Sequence, residues 1–353
     1  MAPLSVEGGD ILQLISVLPK AELHLHIEGT LEPELMFELA ARNGVLDKLP
    51  HKSLEEAQAA YNFHHLQSFL DLYYAGCAVL ITKQDFYDLT WAYLKRAAAD
   101  SVVHAEIFFD PQTHTGRDVP FVMALQGISE ALADARTKLG ISSHLIMCFL
   151  RHLGPESAMT TLHEALPFKE HIKGVGLDSS ELGFPPSLFQ EVFELAAKEG
   201  FKVVAHAGEE GPAEYVWEAV NLLKVDRIDH GVKSIEDAAL CAHLSKAQLP
   251  LTVCPLSNVK LKVYDGVLVE KLQVLLKQGM CITINSDDPA YFGGYVNANY
   301  AFLAQSLGLV AEEIYELHKN SFVASFLDEE IRAAHLSSLD QIFKQFLVSS
   351  ADG

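Results

Sequence analysis

Basic side chains are scarce in this 353-residue chain: 26 Lys and Arg stand against 47 Asp and Glu, a formal charge of -21. A field of that sign repels phosphate backbones and anionic lipid, so neither nucleic acid nor a membrane surface is an expected partner. It also disfavours a strongly anionic substrate unless a local basic pocket overrides it. Cysteine is sparse as well. Cys77, Cys148, Cys241, Cys254 and Cys281 form no C-x-x-C and no framework spacing, which excludes a disulfide scaffold and fits reduced thiols in a cytoplasmic protein. Cys148, Cys254 and Cys281 lie in apolar runs and read as small buried hydrophobes. No apolar run approaches the length of a membrane span. The opening "MAPLSVEGGD" has no basic stretch followed by an apolar core, so a secretory signal is not expected. Glycine and proline are not enriched, and neither a low-complexity block, a linker nor an internal repeat interrupts the chain. One domain over 1–353 is the expectation. No feature of the sequence reports an oligomeric state.

What is present is a core and a rhythm. The apolar fraction of 49% and charged fraction of 21% are those of a globular protein. Short β-rich apolar runs recur at 21–28, 102–110, 142–150, 172–178, 202–209, 227–231, 249–257 and 281–288, with amphipathic stretches between them. "LEPELMFELAARNG" (31–44) spaces its apolar residues as a helix and ends on Gly44. "PPSLFQEVFELAAKEG" (185–200) opens on Pro and closes on Gly in the same style, and "VLVEKLQVLLKQG" (267–279) repeats the closing device. Strands each followed by helix predict an α/β fold, a (β/α)8 TIM-type barrel, with an open doubly wound sheet as the alternative. The stretch 45–100 breaks the rhythm and reads as extra helices inserted after the first β/α unit. The tail 295–346 reads as further helices.

In a parallel barrel the C-terminal ends of the strands form the active face. The first strand ends on His24-Leu25-His26, whose period of two points both imidazoles to one side. Random placement of 16 His gives about 0.7 such H-x-H pairs, so the pair alone carries little weight. Its company carries more. The fifth strand ends on His206 and Glu209, the sixth on His230, the eighth on Asp287 and Asp288. Three His and one Asp at one rim form an N/O donor set that suits Zn²⁺, with Fe²⁺ and Mn²⁺ also compatible. Any single one of these His could equally be a hydrogen-bonded core residue, and Asp288 before Pro289 could be a turn or helix cap. The remaining histidines draw plainer readings. His64 and His65 are adjacent and share no helix face. His104 sits in a strand with no partner in the rim set. His114 follows a strand end, within reach of the site. His51, His144, His152, His163, His171, His243, His318 and His335 read as surface or helix positions.

Taken in order, H-x-H, H-A-G-E, D-H-G and S-D-D-P resemble the adenosine/adenine deaminase family of metal-dependent amidohydrolases, over about residues 18–345. The stretches "ELHLHIEGTLEPEL", "FLDLYYAG", "HAEIFFDPQTHT" and "GLDSSE" are closest to the adenine deaminase branch. The resemblance implies one Zn²⁺ per chain, with His24, His26, His206 and Asp287 matching its ligands. It implies Glu209 as proton donor to the purine ring, His230 as the residue that orients or deprotonates the attacking water, and Asp288 as a group that binds the purine, at N7. The implied reaction is hydrolytic deamination of adenine to hypoxanthine and ammonia, an aminohydrolase step of purine salvage.

Elementary chemistry agrees with those roles. Replacing an exocyclic amine needs a nucleophile at neutral pH, and zinc lowers the pKa of bound water from about 15.7 to about 7. The aromatic ring also needs a carboxylic acid facing a ring nitrogen, and Glu209 stands three residues past His206. The H-x-E with P-C-x-x-C signature of cytidine-type deaminases is absent; "TVCPLSN" holds a single Cys. One departure bears on substrate choice. Adenosine deaminases usually carry Asp-Gly where this chain has Glu28-Gly29, and that Asp contacts the ribose. A longer Glu28 side chain reaching into the sugar's space would favour the free base; alternatively, Glu28 caps the following helix. Deamination of adenosine, of N6-substituted adenines or of AMP is the alternative within the same chemistry. A nucleotide would want a basic phosphate site, and these rim stretches are poor in Lys and Arg. A purine-binding protein without activity should lack Glu209 or a ligand, and none is missing.

Overall fold

The computed structural model describes residues 8–63, 65–264 and 267–351. Eight parallel strands follow one another in sequence order: β1 (Lys20–Glu22), β2 (Val102–Phe109), β3 (Ser142–Leu150), β4 (Gly174–Asp178), β5 (Lys202–Ala207), β6 (Arg227–His230), β7 (Leu251–Val253) and β8 (Ile282–Ile284). With helices between them they make a nearly closed (β/α)8 barrel. The seam between β8 and β1 closes beyond the ends of the regular strands. His26 N–H donates to the Asp287 carbonyl at 3.0 Å, and Asp287 N–H donates to the His24 carbonyl at 3.1 Å. Lower down, the Asn285 side chain accepts from Leu23 N–H at 2.8 Å in place of a backbone partner.

Alternation along the strands separates two environments. Leu23 and Leu25, Ala105, Ile107 and Phe109, Leu145, Met147 and Phe149, and Val203, Ala205 and Ala207 all belong to the large core between strands and helices. The residues between them face the barrel axis: Phe108, Ile146, Cys148 and Val204 meet Phe326 in a small separate cluster. His24, His26 and His206 occupy the inward positions of that same alternation. Each Leu, Ile or Phe buried outward contributes about 1.5–3 kcal/mol, so the outward residues fix the register that aims the imidazoles inward.

Among the described residues four α-helices lie between β1 and β2: Pro33–Arg42, Leu54–Ala60, Leu66–Gly76 and Lys83–Ala99. Pro33 sits at a helix start, and Gly44 ends the same segment in the left-handed region at φ +66°. Lys83–Ala99 packs against Phe121–Lys138 and against β2, completing the helical ring on that side. Leu66–Gly76 lies over the C-terminal mouth, where Leu66, Phe69, Leu70 and Tyr73 pack against Phe63, Tyr291 and Phe292. The predicted tail is helical at Val296–Leu307, Ala311–Val323 and Glu329–Ala351. Among the described residues no helix is long and apolar enough to cross a membrane. All five cysteines are free and buried.

Candidate active site

At the C-terminal mouth the chain brings together residues that are far apart in sequence. His24 Nε2 stands 3.1 Å from Asp287 Oδ1, His26 Nε2 3.2 Å from His206 Nε2, and His26 Nε2 3.5 Å from Asp287 Oδ1. His230 Nε2 lies 3.8 Å from Asp287 Oδ2 and 3.7 Å from Glu209 Oε2. All of these side chains are buried. His230 and Asp287 hold left-handed backbones, φ +61° and +63°. Such conformations cost of order 1–3 kcal/mol in non-glycine residues and gather at functional sites. Here they turn side chains at strand ends toward the barrel axis.

The donor set fits a divalent cation on two grounds. Ligands bound at about 2.0–2.1 Å around a tetrahedral ion stand about 3.3 Å apart, and the separations above bracket that value. The second ground is a proton count. Thr252 Oγ1 has one hydrogen and donates it to Asp229 Oδ1 at 2.9 Å, so it accepts from His24 Nδ1–H, also at 2.9 Å. In the neutral form that a metal ligand must take, this tautomer leaves the His24 Nε2 lone pair facing a carboxylate oxygen at 3.1 Å. Two acceptors at that distance call for a cation between them. The second oxygen of Asp229 faces His206 Nδ1 at 3.6 Å, and both atoms otherwise lack a hydrogen-bond partner. Asp229 thus stands behind two of the candidate ligands, the arrangement by which carboxylates orient metal-binding imidazoles. Asp178 stands similarly behind His26, with Oδ2 3.5 Å from Nδ1.

Burial sets the protonation of the surrounding groups. It pushes His26 and His230 down to about 3 and His206 well below the usual imidazole range, so all three are neutral. Glu209 goes the other way: burial first, then the Asp287 charge, raise it well above normal. Asp288 is raised by the same two causes. The cavity bounded by these groups has a polar floor of His26, Asp110, Asp178, His206, Glu209, His230, Asp287 and Asp288. Its wall is apolar and includes Leu66, Phe69, Leu70, Leu261 and Phe292. No Lys or Arg is among the described residues lining it.

His24, His26, His206, Glu209, His230, Asp287 and Asp288 therefore share one site. Asp288 does not cap the short helix that follows; its Oδ1 is buried without a partner at the cavity. Glu28 behaves differently from both expectations. It neither lines the cavity nor caps Pro33–Arg42, whose N-cap is Glu32. Its Oε1 accepts from Asp110 N–H at 3.2 Å and pairs with His114 Nε2 at 2.7 Å, so Glu28 and His114 occupy each other behind Asp110. His104 is tied to Ser142 and Glu106 away from the site. His64 lies outside the described residues. The sequence reading missed Asp110, Asp178, Glu181, Asp229 and Thr252. Asp110 and Asp178 end their strand windows as His206 and Asp287 do, so their signal was present.

A family model described as adenosine deaminase matches residues 19–342 of the chain. The chain is 60% identical over 330 residues to an adenine deaminase of Acinetobacter baylyi, covering 94% of this chain and 99% of that one. Among solved structures, an adenine deaminase from Arthrobacter aurescens superposes with a TM-score of 0.90 at 48% identity, covering 93% of this chain and 100% of that one. An amidohydrolase from Burkholderia ambifaria with bound Zn superposes with a TM-score of 0.89 at 26% identity, covering 100% of this chain and 97% of that one.

Proposed function

This chain belongs to the adenosine deaminase family, in its adenine deaminase branch, and from that premise we propose that it converts adenine and water to hypoxanthine and ammonia with one zinc ion held by His24, His26, His206 and Asp287. The observation that carries this reading is the convergence of those four side chains, His24 on Asp287 at 3.1 Å and His26 on His206 and Asp287 at 3.2 and 3.5 Å, with Glu209 and His230 beside them. A zinc ion in this donor set supplies a water whose pKa is lowered from about 15.7 to about 7.

The chain's own groups do the rest. Water adds at C6, the carbon that bears the amine. N1 of adenine is a lone-pair acceptor, so its partner must carry a proton, and burial together with Asp287 favours the protonated form of Glu209. N7 is also an acceptor, and the raised Asp288 carboxyl can donate to it. His230, neutral because it is buried, orients the attacking water from Nε2, since Asn258 Nδ2 donates to its Nδ1; of the two water protons one leaves with the amine as ammonia and the other, lost from the C6 hydroxyl as the carbonyl forms, restores the Glu209 carboxyl. The Asn258 side chain holds the His230 ring from the far side at 3.2 Å. Leu66, Phe69 and Leu70 cover the mouth and exclude bulk water. The lining without Lys or Arg disfavours a phosphate-bearing substrate. The free, buried thiols suit a reducing cytoplasmic setting, and the barrel with its added helices works as one domain.

Ammonia release measured with adenine, adenosine, AMP and N6-alkyladenines tests the substrate assignment. Adenine is expected to turn over fastest. Faster turnover of adenosine overturns the free-base preference, and no ammonia from any of the four overturns the enzymatic reading.

A further inference from the structure

Glu209 sits on a turn, Gly208–Gly211, that has no helix or strand to fix it. Four consecutive N–H groups of this turn point at one carboxylate from the neighbouring loop after β4. Gly208 N–H donates to Glu181 Oε1 at 2.6 Å; Glu209, Glu210 and Gly211 N–H donate to Oε2 at 3.0, 2.8 and 2.8 Å. Glu181 is buried at 1% exposure and does not line the cavity. Successive N–H groups turned inward in this way form a nest that binds an anion, here one supplied by the same chain.

The turn is cut to fit that carboxylate. Gly208 holds φ +73°, the left-handed conformation that closes the nest. A Cβ at Gly211 would stand 2.6 Å from Glu181 Oε1, 2.6 Å from Tyr215 Cδ2 and 2.7 Å from Glu181 Cδ, so only glycine lets the carboxylate come this close. Arg151 ties the two loops together from behind, donating to the His206 carbonyl at 2.8 Å and to the Phe184 carbonyl at 2.8 Å.

We propose that Glu181 is a positioning residue for the proton donor: by accepting four consecutive backbone N–H groups it fixes the turn from which the Glu209 carboxyl reaches the substrate. Glu181 touches neither the substrate cavity nor any candidate metal ligand side chain, so its effect passes through Glu209, and the inference rests on Glu209 being the donor. Displacing a reacting group by about 1 Å costs about 10²-fold in rate. A glutamine at 181 keeps the size but turns an NH2 toward N–H donors on one side of the nest, leaving buried donors unpaired.

A double-mutant cycle in the zinc-loaded enzyme decides the matter. Glu181→Gln is expected to lower kcat about 10²-fold, with KM for adenine and zinc content unchanged. In a Glu209→Gln background the same substitution is expected to cost nothing further, because the group it positions is gone. A purely structural role predicts that the two losses multiply, and that result overturns the inference while leaving the donor assignment intact. A Glu209→Gln enzyme at the wild-type rate overturns the donor assignment itself. Should Glu181→Gln fail to fold, Gly211→Ala crowds the same carboxylate, and its loss of kcat must likewise vanish in the Glu209→Gln background.

Discussion

Replacing Asp229 by asparagine is expected to weaken zinc binding about a hundredfold, and replacing Thr252 by valine about tenfold. The difference follows from the two routes by which Asp229 reaches the ligands. Its Oδ1 holds the Thr252 hydroxyl, which in turn fixes the His24 tautomer; its Oδ2 faces His206 Nδ1 directly. Valine at 252 cuts only the first route. Asparagine at 229 disturbs both, since its amide can present an oxygen to one partner and an NH2 to the other. Outer-shell partners of metal-binding imidazoles are each worth about 10- to 100-fold in affinity, so one route corresponds to about 1.4 kcal/mol and two to about 2.7 kcal/mol. Both substitutions nearly conserve volume, which limits repacking of the barrel interior. The assay is competition for zinc against a chromophoric chelator, with a melting curve of the metal-free protein to confirm that each variant folds. Equal affinities for the two variants, or a larger loss for Thr252→Val, would refute the assignment of Asp229 to both imidazoles.

Other substitutions and conditions probe the rest of the site. A Cβ at Gly29 would stand 1.9 Å from Asp288 Oδ1, so Gly29→Ala must push that carboxyl aside; steady-state kinetics should show a KM for adenine raised about tenfold or more with zinc content intact, and an unchanged KM contradicts purine binding by Asp288. Burial and then the Asp287 charge raise Glu209 and favour its protonated form, which is lost as pH rises past that raised value. The profile of kcat/KM should therefore hold through neutrality and fall on the alkaline side, and a profile still climbing there removes Glu209 as donor. Removing the metal with a chelator should abolish ammonia release and lower the melting temperature, with zinc restoring both; at a free zinc concentration a thousandfold above Kd the bound ion contributes about 4 kcal/mol of stability.

Much of this site was legible because a strand has a period of two. Leu23 and Leu25 had to face the helices, which left His24 and His26 no direction but inward, and β5 placed His206 by the same logic. The alternation breaks where the backbone turns left-handed. A regular strand would send Asp229 and His230 to opposite sides; the positive φ of His230 brings both to the site, so "RIDHG" showed the histidine but concealed the aspartate beside it. Asp110 and Asp178 carry no such obstacle. Asp110 follows β2 directly and Asp178 ends β4, near the strand ends as Asp287 is, but an isolated carboxylate has many structural uses and nothing adjacent marks it. The pairing of Glu28 with His114 depends on how the loops after β1 and β2 meet, and no local pattern encodes a contact 86 residues apart. Glu181 is the same case: its partners lie 27–30 residues onward, and the signal in "GLDSSE" and "HAGEEG" is divided between two loops.

The most direct measurement is a crystal structure of the purified protein with anomalous data collected on either side of the zinc absorption edge. The account predicts a single strong zinc peak within about 2.0–2.2 Å of His24 Nε2, His26 Nε2, His206 Nε2 and an Asp287 carboxylate oxygen, with the Glu209 carboxyl beside it. A protein that releases ammonia from adenine with no zinc there, or with zinc bound elsewhere and these four side chains unligated, would contradict it.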